Sequence, residues 1–216
     1  MKRPAAIVWA LLLVGCPVFA ETTTATTDAE VRKVVSRYSF ESQPQELPAD
    51  PIRDAVAAED TGALAAALAA DLNAKNVAGQ TTLMTATVLR KPRVMRFLME
   101  RGADVNARGP RQATALFLAA ERGYGPIVEL LLNEGADIEL QADDDVTPLI
   151  AAVIHERYGV VEILLKAGAN VNRKMKGGLA PYDFARLSGN EDLLDLLKRY
   201  GGRPGEEKDV LATTVQ

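Results

Sequence analysis

The chain repeats itself every 33 residues, and that period restricts its fold more than any compositional figure does. Thr114 to Asp137 reads TALFLAAERGYGPIVELLLNEGAD; 33 residues on, Thr147 to Asn170 reads TPLIAAVIHERYGVVEILLKAGAN, and 33 back, Thr81 to Asp104 reads TTLMTATVLRKPRVMRFLMERGAD. Ala180 to Arg203, APYDFARLSGNEDLLDLLKRYGGR, keeps the same register without an insertion. A unit this short cannot bury its own apolar face, so copies stack into a solenoid in which each contacts its neighbours.

Each unit reads as two helices. The hydroxyls of Thr114 and Thr147 can cap a helix start, and Pro148 and Pro181 follow at the first helical position, where no amide hydrogen is needed. Leu116, Ala119 and Ala120 share one face of the first helix, and the two alanines keep that face thin enough for a neighbour to pack closely. Gly123 supplies a left-handed residue to end it. Pro126 opens the second helix, whose Ile127, Val128, Leu131 and Leu132 recur at helical spacing as one apolar stripe, and Gly135 closes it.

These residues resemble the ankyrin repeat, whose pattern runs T-P-L-H, A-A, G, I-V, L-L-L, G-A-D-V-N. The likeness covers about Pro51 to Gly202, with Gly102-Ala103-Asp104-Val105-Asn106, Gly135-Ala136-Asp137-Ile138 and Gly168-Ala169-Asn170-Val171-Asn172 in phase. It implies an all-α solenoid of about five helix-turn-helix repeats joined by short β-hairpin loops. One departure stands out: the family's His is replaced by Met84, Phe117, Ile150 and Asp183. Its hydrogen bonds to Thr hydroxyls cannot form here, so apolar packing is expected to replace them in the three inner repeats.

The segments outside the array are read by composition. Lys2 and Arg3 precede an apolar run from Ala5 to Val14, too short to span a bilayer but suited to a secretory signal over residues 1–20. Val18-Phe19-Ala20 suits a cut before Glu21; alternatively Leu13-Val14-Gly15-Cys16 resembles the lipobox of bacterial lipoproteins, which makes Cys16 a lipidation site. A buried helix of a cytoplasmic protein is the third reading. Either export reading points to the periplasm or to a lipid-anchored place in the bacterial envelope. Residues 21–50 form a Thr- and Pro-containing linker, within which residues 29–38 can form a short amphipathic helix that packs on the first repeat or meets a partner. Pro51 to Ala74 is a degenerate, Ala-rich first repeat; Lys198 and Arg186 give the last one a solvated outer face, as capping repeats require, and 203–216 is expected to be a flexible tail.

Composition argues against several function classes. The net charge of −4 becomes −6 once Lys2 and Arg3 leave with the leader, a poor balance for general nucleic-acid binding. A single Cys excludes an internal disulfide. No G-x-S-x-G, Walker loop or dinucleotide fingerprint occurs, and His155-Glu156 lacks the second His of a zinc motif. No catalytic residue, metal or cofactor is therefore expected. Asp143, Asp144 and Asp145, with Glu139 nearby, lack calcium-loop spacing and read as a solvated acidic loop.

The resemblance instead implies a non-enzymatic protein-binding surface made by the inner face of each first helix and by the hairpin tips. By position the inner face comprises Thr85, Val88 and Leu89; Leu118, Glu121 and Arg122; Ile154 and His155; Phe184, Leu187 and Ser188. Leu89, Leu118, Ile154 and Phe184 form an apolar line, which either meets a partner or folds back against neighbouring helices. The tips alternate in sign: Lys75, then Arg108 and Arg111, then Asp143 to Asp145, then Arg173, Lys174 and Lys176. With an export signal ahead of it, such an array is expected to be a monomer that controls a periplasmic enzyme as an inhibitor or immunity-type protector. Stabilising an oxidative-stress enzyme such as a catalase is the alternative, and an enzyme built on Asp143 to Asp145 with His155 is the remote one.

Overall fold

The computed structural model describes residues 51–68 and 71–205. The expected leader with Cys16, the linker with its short helix at 29–38, and residues 206–216 of the expected tail lie outside the described residues. Among the described residues five helix pairs follow one another: α1 Pro51–Ala58 and α2 Thr61–Ala67; α3 Thr82–Val88 and α4 Pro92–Glu100; α5 Ala115–Arg122 and α6 Gly125–Asn133; α7 Pro148–Ile154 and α8 Tyr158–Lys166; α9 Pro181–Ser188 and α10 Glu191–Arg199. The first helices stand in a row, α1 on α3, α3 on α5, α5 on α7 and α7 on α9, with a second helix behind each.

Local chemistry starts and stops these helices as the period predicts. Thr81, Thr114 and Thr147 accept the amide hydrogens of Met84, Phe117 and Ile150 at 3.3, 3.2 and 3.2 Å. Gly123 ends α5 with φ at +78°, and a Cβ there would come within 2.8 Å of Arg157 Cδ. Both the turn and the close approach therefore require glycine.

The core consists of columns at the repeat spacing. Ala86, Ala119, Ala152 and Ala185 are all fully buried where first helices meet, and Leu98, Leu131, Leu164 and Leu197 are fully buried in the second helices. Met84, Phe117 and Ile150 are buried apolar residues, so the expected apolar packing does stand in place of the family's His. In the last repeat Asp183 takes a different role. Its Oδ2 accepts the amide hydrogens of Ala180 at 2.9 Å and of Gly205 at 2.8 Å, which carries the contacts of the array past the expected boundary at Gly202.

The loops are hairpin-type turns. Asn76, Gly109, Ala142 and Met175 each donate an amide hydrogen to the carbonyl four residues on, at 2.8–3.0 Å, and Lys75 pairs with Thr81 in an isolated antiparallel bridge. Short 3₁₀ turns, Pro110–Gln112 and Asp143–Asp145, form two of the tips, with Arg111 and Asp144 in the left-handed region.

Behind the tips a second ladder stitches repeat to repeat. Asn73, Asn106 and Asn172 accept the amide hydrogens of Asp104, Asp137 and Arg203 at 2.8–2.9 Å, and Glu139 does the same for Asn170 at 2.7 Å. Asn106 and Asn172 also donate through Nδ2 to the carbonyls of Gly135 and Gly201, at 3.4 and 3.1 Å. A carboxylate cannot donate, and Glu139 Oε2 is buried without a partner. Glu139→Asn is therefore expected to stabilise the protein by about 1 kcal/mol, by giving the Gly168 carbonyl its donor and removing a bare buried oxygen. A lower urea midpoint in the variant would contradict that account.

Candidate protein-binding surface

The inner face is built from the ends of the first helices, and the structure divides its predicted residues into three sets. Leu118 and Phe184 are only 3% and 4% exposed, because each first helix packs against an adjoining one. Leu89 and Ile154 are half-buried and pack against the same core. The expected apolar line is therefore not an exposed stripe: of its two readings, the one in which the side chains fold back against neighbouring helices describes the free molecule.

The polar members lie around the α5 and α7 ends. Glu121 is buried, and its Oε1 lies 3.6 Å from Nε2 of the half-buried His155. Arg122, on the last turn of α5, is half-buried with its Nε lacking a hydrogen-bond partner. Sequence reading missed the polar straps that close this edge. Lys91 Nζ reaches back to Glu59 at 3.2 Å, the Arg90 guanidinium stacks over the Tyr124 ring at 4.9 Å, and Arg157 Nε donates to the Glu121 carbonyl at 3.0 Å. Lys91, Tyr124 and Arg157 share one repeat position, which was the available signal, but their reach across a junction is set by three-dimensional spacing.

The tips are coupled to one another. Arg108 Nη1 donates to the Gln141 carbonyl at 2.8 Å, and the Lys176 amide donates to the Asp144 carbonyl at 2.8 Å. Arg108, Asp143, Asp145 and Arg173 are exposed, whereas Arg111, Asp144 and Lys174 are half-buried. Arg111, Asp143, Asp144 and Lys174 each take part in an interaction. Among the described residues no group of three His, Cys, Asp or Glu side chains comes together to hold a metal ion. Away from the inner face, on α8, a hydrogen bond that the exposed Lys166 donates to the Glu162 carboxylate holds its ammonium above the usual lysine range.

A row of antiparallel helix pairs in 33-residue register, with tips projecting beside the first helices, is the geometry. Residues 108–175 match the family model described as ankyrin repeats (3 copies). That stretch is similar to ankyrin repeats. The matched ankyrin repeats contain the central pairs α5/α6 and α7/α8, together with both 3₁₀ tips, and the pairs on either side keep the same columns. No match was found among curated proteins. Ankyrin repeats are generally non-enzymatic modules for protein–protein interaction, so protein partners in general are what this array implies.

Proposed function

We propose that the chain is an exported ankyrin protein that binds a periplasmic enzyme and controls it, as an inhibitor or an immunity-type protector. The observation that carries the reading is a rigid ankyrin array with charged tips of both signs, encoded behind Lys2, Arg3 and an apolar leader. Cleavage before Glu21 gives a periplasmic protein; lipidation at Cys16 gives an anchored one. A platform already fixed by its own hydrogen bonds loses little conformational entropy on binding, and its tip charges steer encounter and select register. Occlusion of the enzyme's active-site mouth is the proposed mechanism.

Because Leu118 is buried, surface variants belong at the tips. Pull-down from periplasm is expected to enrich an enzyme with the wild-type protein and less of it with Arg173→Glu plus Lys176→Glu, both positions being exposed. Equal recovery would remove the tips from the interface, and a captured enzyme with unchanged turnover would remove inhibition.

A further inference from the structure

One column of the second helices reverses its sign once. At 33-residue steps it holds Arg96, Glu129, Glu162 and Asp195, so α4 presents a cation where α6, α8 and α10 present a carboxylate. Residues 90–101 hold five basic side chains against the single acid Glu100. One of the five is engaged already: Lys91 reaches Glu59 at 3.2 Å. The other four, Arg90, Arg93, Arg96 and Arg101, are exposed, and among the described residues none of them pairs with a carboxylate, Glu100 included. Like charges three residues apart on a helix destabilise it, as Arg93 and Arg96 are, so stability does not account for the grouping.

Two of the four arginines are held in place. The Arg90 guanidinium lies over the Tyr124 ring at 4.9 Å, and that of Arg101 over the Phe97 ring at 4.4 Å. A guanidinium resting on a ring face keeps the N–H donors along its edge free for an anion. These two stand at opposite ends of α4, with Arg93 and Arg96 between them, and the set spans about 15 Å along the helix. The strip is one helix wide, since α6, one repeat on, holds the exposed Glu129 in place of Arg96.

We propose that α4 and its two flanking turns are a docking strip for a narrow acidic segment of the protein partner, which lays a row of carboxylates along the four arginines. The inference rests on the protein-binding reading above and adds a contact away from the first-helix row. An arginine fork can hold a carboxylate through two parallel hydrogen bonds, which fixes direction as well as charge. The stacked guanidiniums of Arg90 and Arg101 are ordered before the partner arrives, so little side-chain freedom is lost there. A segment one strand or one helix wide meets the arginines alone. A broad anionic surface, such as a phospholipid bilayer or a nucleic-acid backbone, would also press against Glu129, Glu162 and Asp195 and be repelled, so the width of the strip selects an acidic protein segment.

The probe is a blocked hexaglutamate peptide, titrated into the full chain and followed by amide NMR beside its hexaglutamine counterpart. Saturable shifts at Arg93, Arg96, Phe97 and Arg101 are expected with hexaglutamate and not with hexaglutamine. Arg93→Glu plus Arg96→Glu, both at exposed positions, should weaken that binding at least about tenfold. The melting temperature should stay equal or rise, because Glu forms helix as readily as Arg and the like-charge contact is gone. Arg173→Glu plus Lys176→Glu makes the same change in net charge at a tip and should leave the shifts on α4 as they are. No saturable response, equal shifts with hexaglutamine, or equal weakening by both double variants would overturn the proposal. So would binding to phosphatidylglycerol vesicles that Arg93→Glu plus Arg96→Glu abolishes, which would make the strip a membrane contact. Shifts at the same amides in the free chain on Glu41→Gln plus Glu46→Gln would make the chain's own acids the occupant, and self-association lost in the α4 variant would make it a second copy; either result overturns the proposal too. Failure of this test leaves the enzyme-binding reading standing, since pull-down with the tip variant tests that separately.

Discussion

Leu131→Ala is expected to lower the unfolding free energy by about 2–5 kcal/mol, the largest loss foreseen for a single truncation in this chain. Leu131 is fully buried at the centre of the second-helix column, with Leu98 and Leu164 one repeat away on either side. Removing one methine and two methyl carbons leaves a cavity that neighbours held by two junctions cannot close. The array is quasi-one-dimensional, so weakening its middle repeat also uncouples the two ends, and the urea transition should broaden as well as move. Leu132, half-buried on the adjacent position, is the control: Leu132→Ala should cost clearly less. The reverse order would mean that the helical phase of α6 is misplaced.

The second large effect comes from adding volume. Ala119→Leu is expected to cost about 1–3 kcal/mol, and more if α5 and α7 cannot separate. Ala86, Ala119, Ala152 and Ala185 occupy the same column and leave no exposed surface. Three extra carbons at that contact must push α5 away from its neighbours or force the leucine off a staggered rotamer. Ala58→Leu, at an exposed position near the end of α1, should change stability by less than about 0.5 kcal/mol. Comparable losses for both variants, measured by urea unfolding, would show that first-helix spacing does not limit the array.

Both expectations rest on columns that the sequence displays openly. Once the 33-residue register is set, the Thr caps, the alanine contacts, the leucine stripe and the turn at Gly123 fall into place because each depends on chemistry inside one repeat or between equivalent positions. Burial on the inner face was less legible. Helical spacing puts Leu118 and Phe184 on that side, but their exposure depends on how near the adjoining first helices stand, a distance the period does not encode. Glu121 had a signal, its mismatch with Val88, Ile154 and Leu187 in one column. Its burial emerges only when the surrounding elements are placed. The contact from Asp183 to Gly205 was hidden for another reason: it joins the last copy to a residue beyond it, and the aspartate has no counterpart in the earlier repeats.

The ladder formed by Asn73, Asn106, Glu139 and Asn172 also gives each junction its own clock. The amide hydrogens of Asp104, Asp137, Asn170 and Arg203 are each held by a side chain from the preceding repeat, 31 residues back in the chain. Each can exchange with solvent deuterium only when its own junction opens or the whole array unfolds. Four exchange rates from one sample therefore rank the junctions by opening free energy, end to end, without any mutation. The pair joined by Glu139 and Asn170 lacks the second hydrogen bond that Asn106 and Asn172 make on either side of it, and this seam is expected to tick faster than those two.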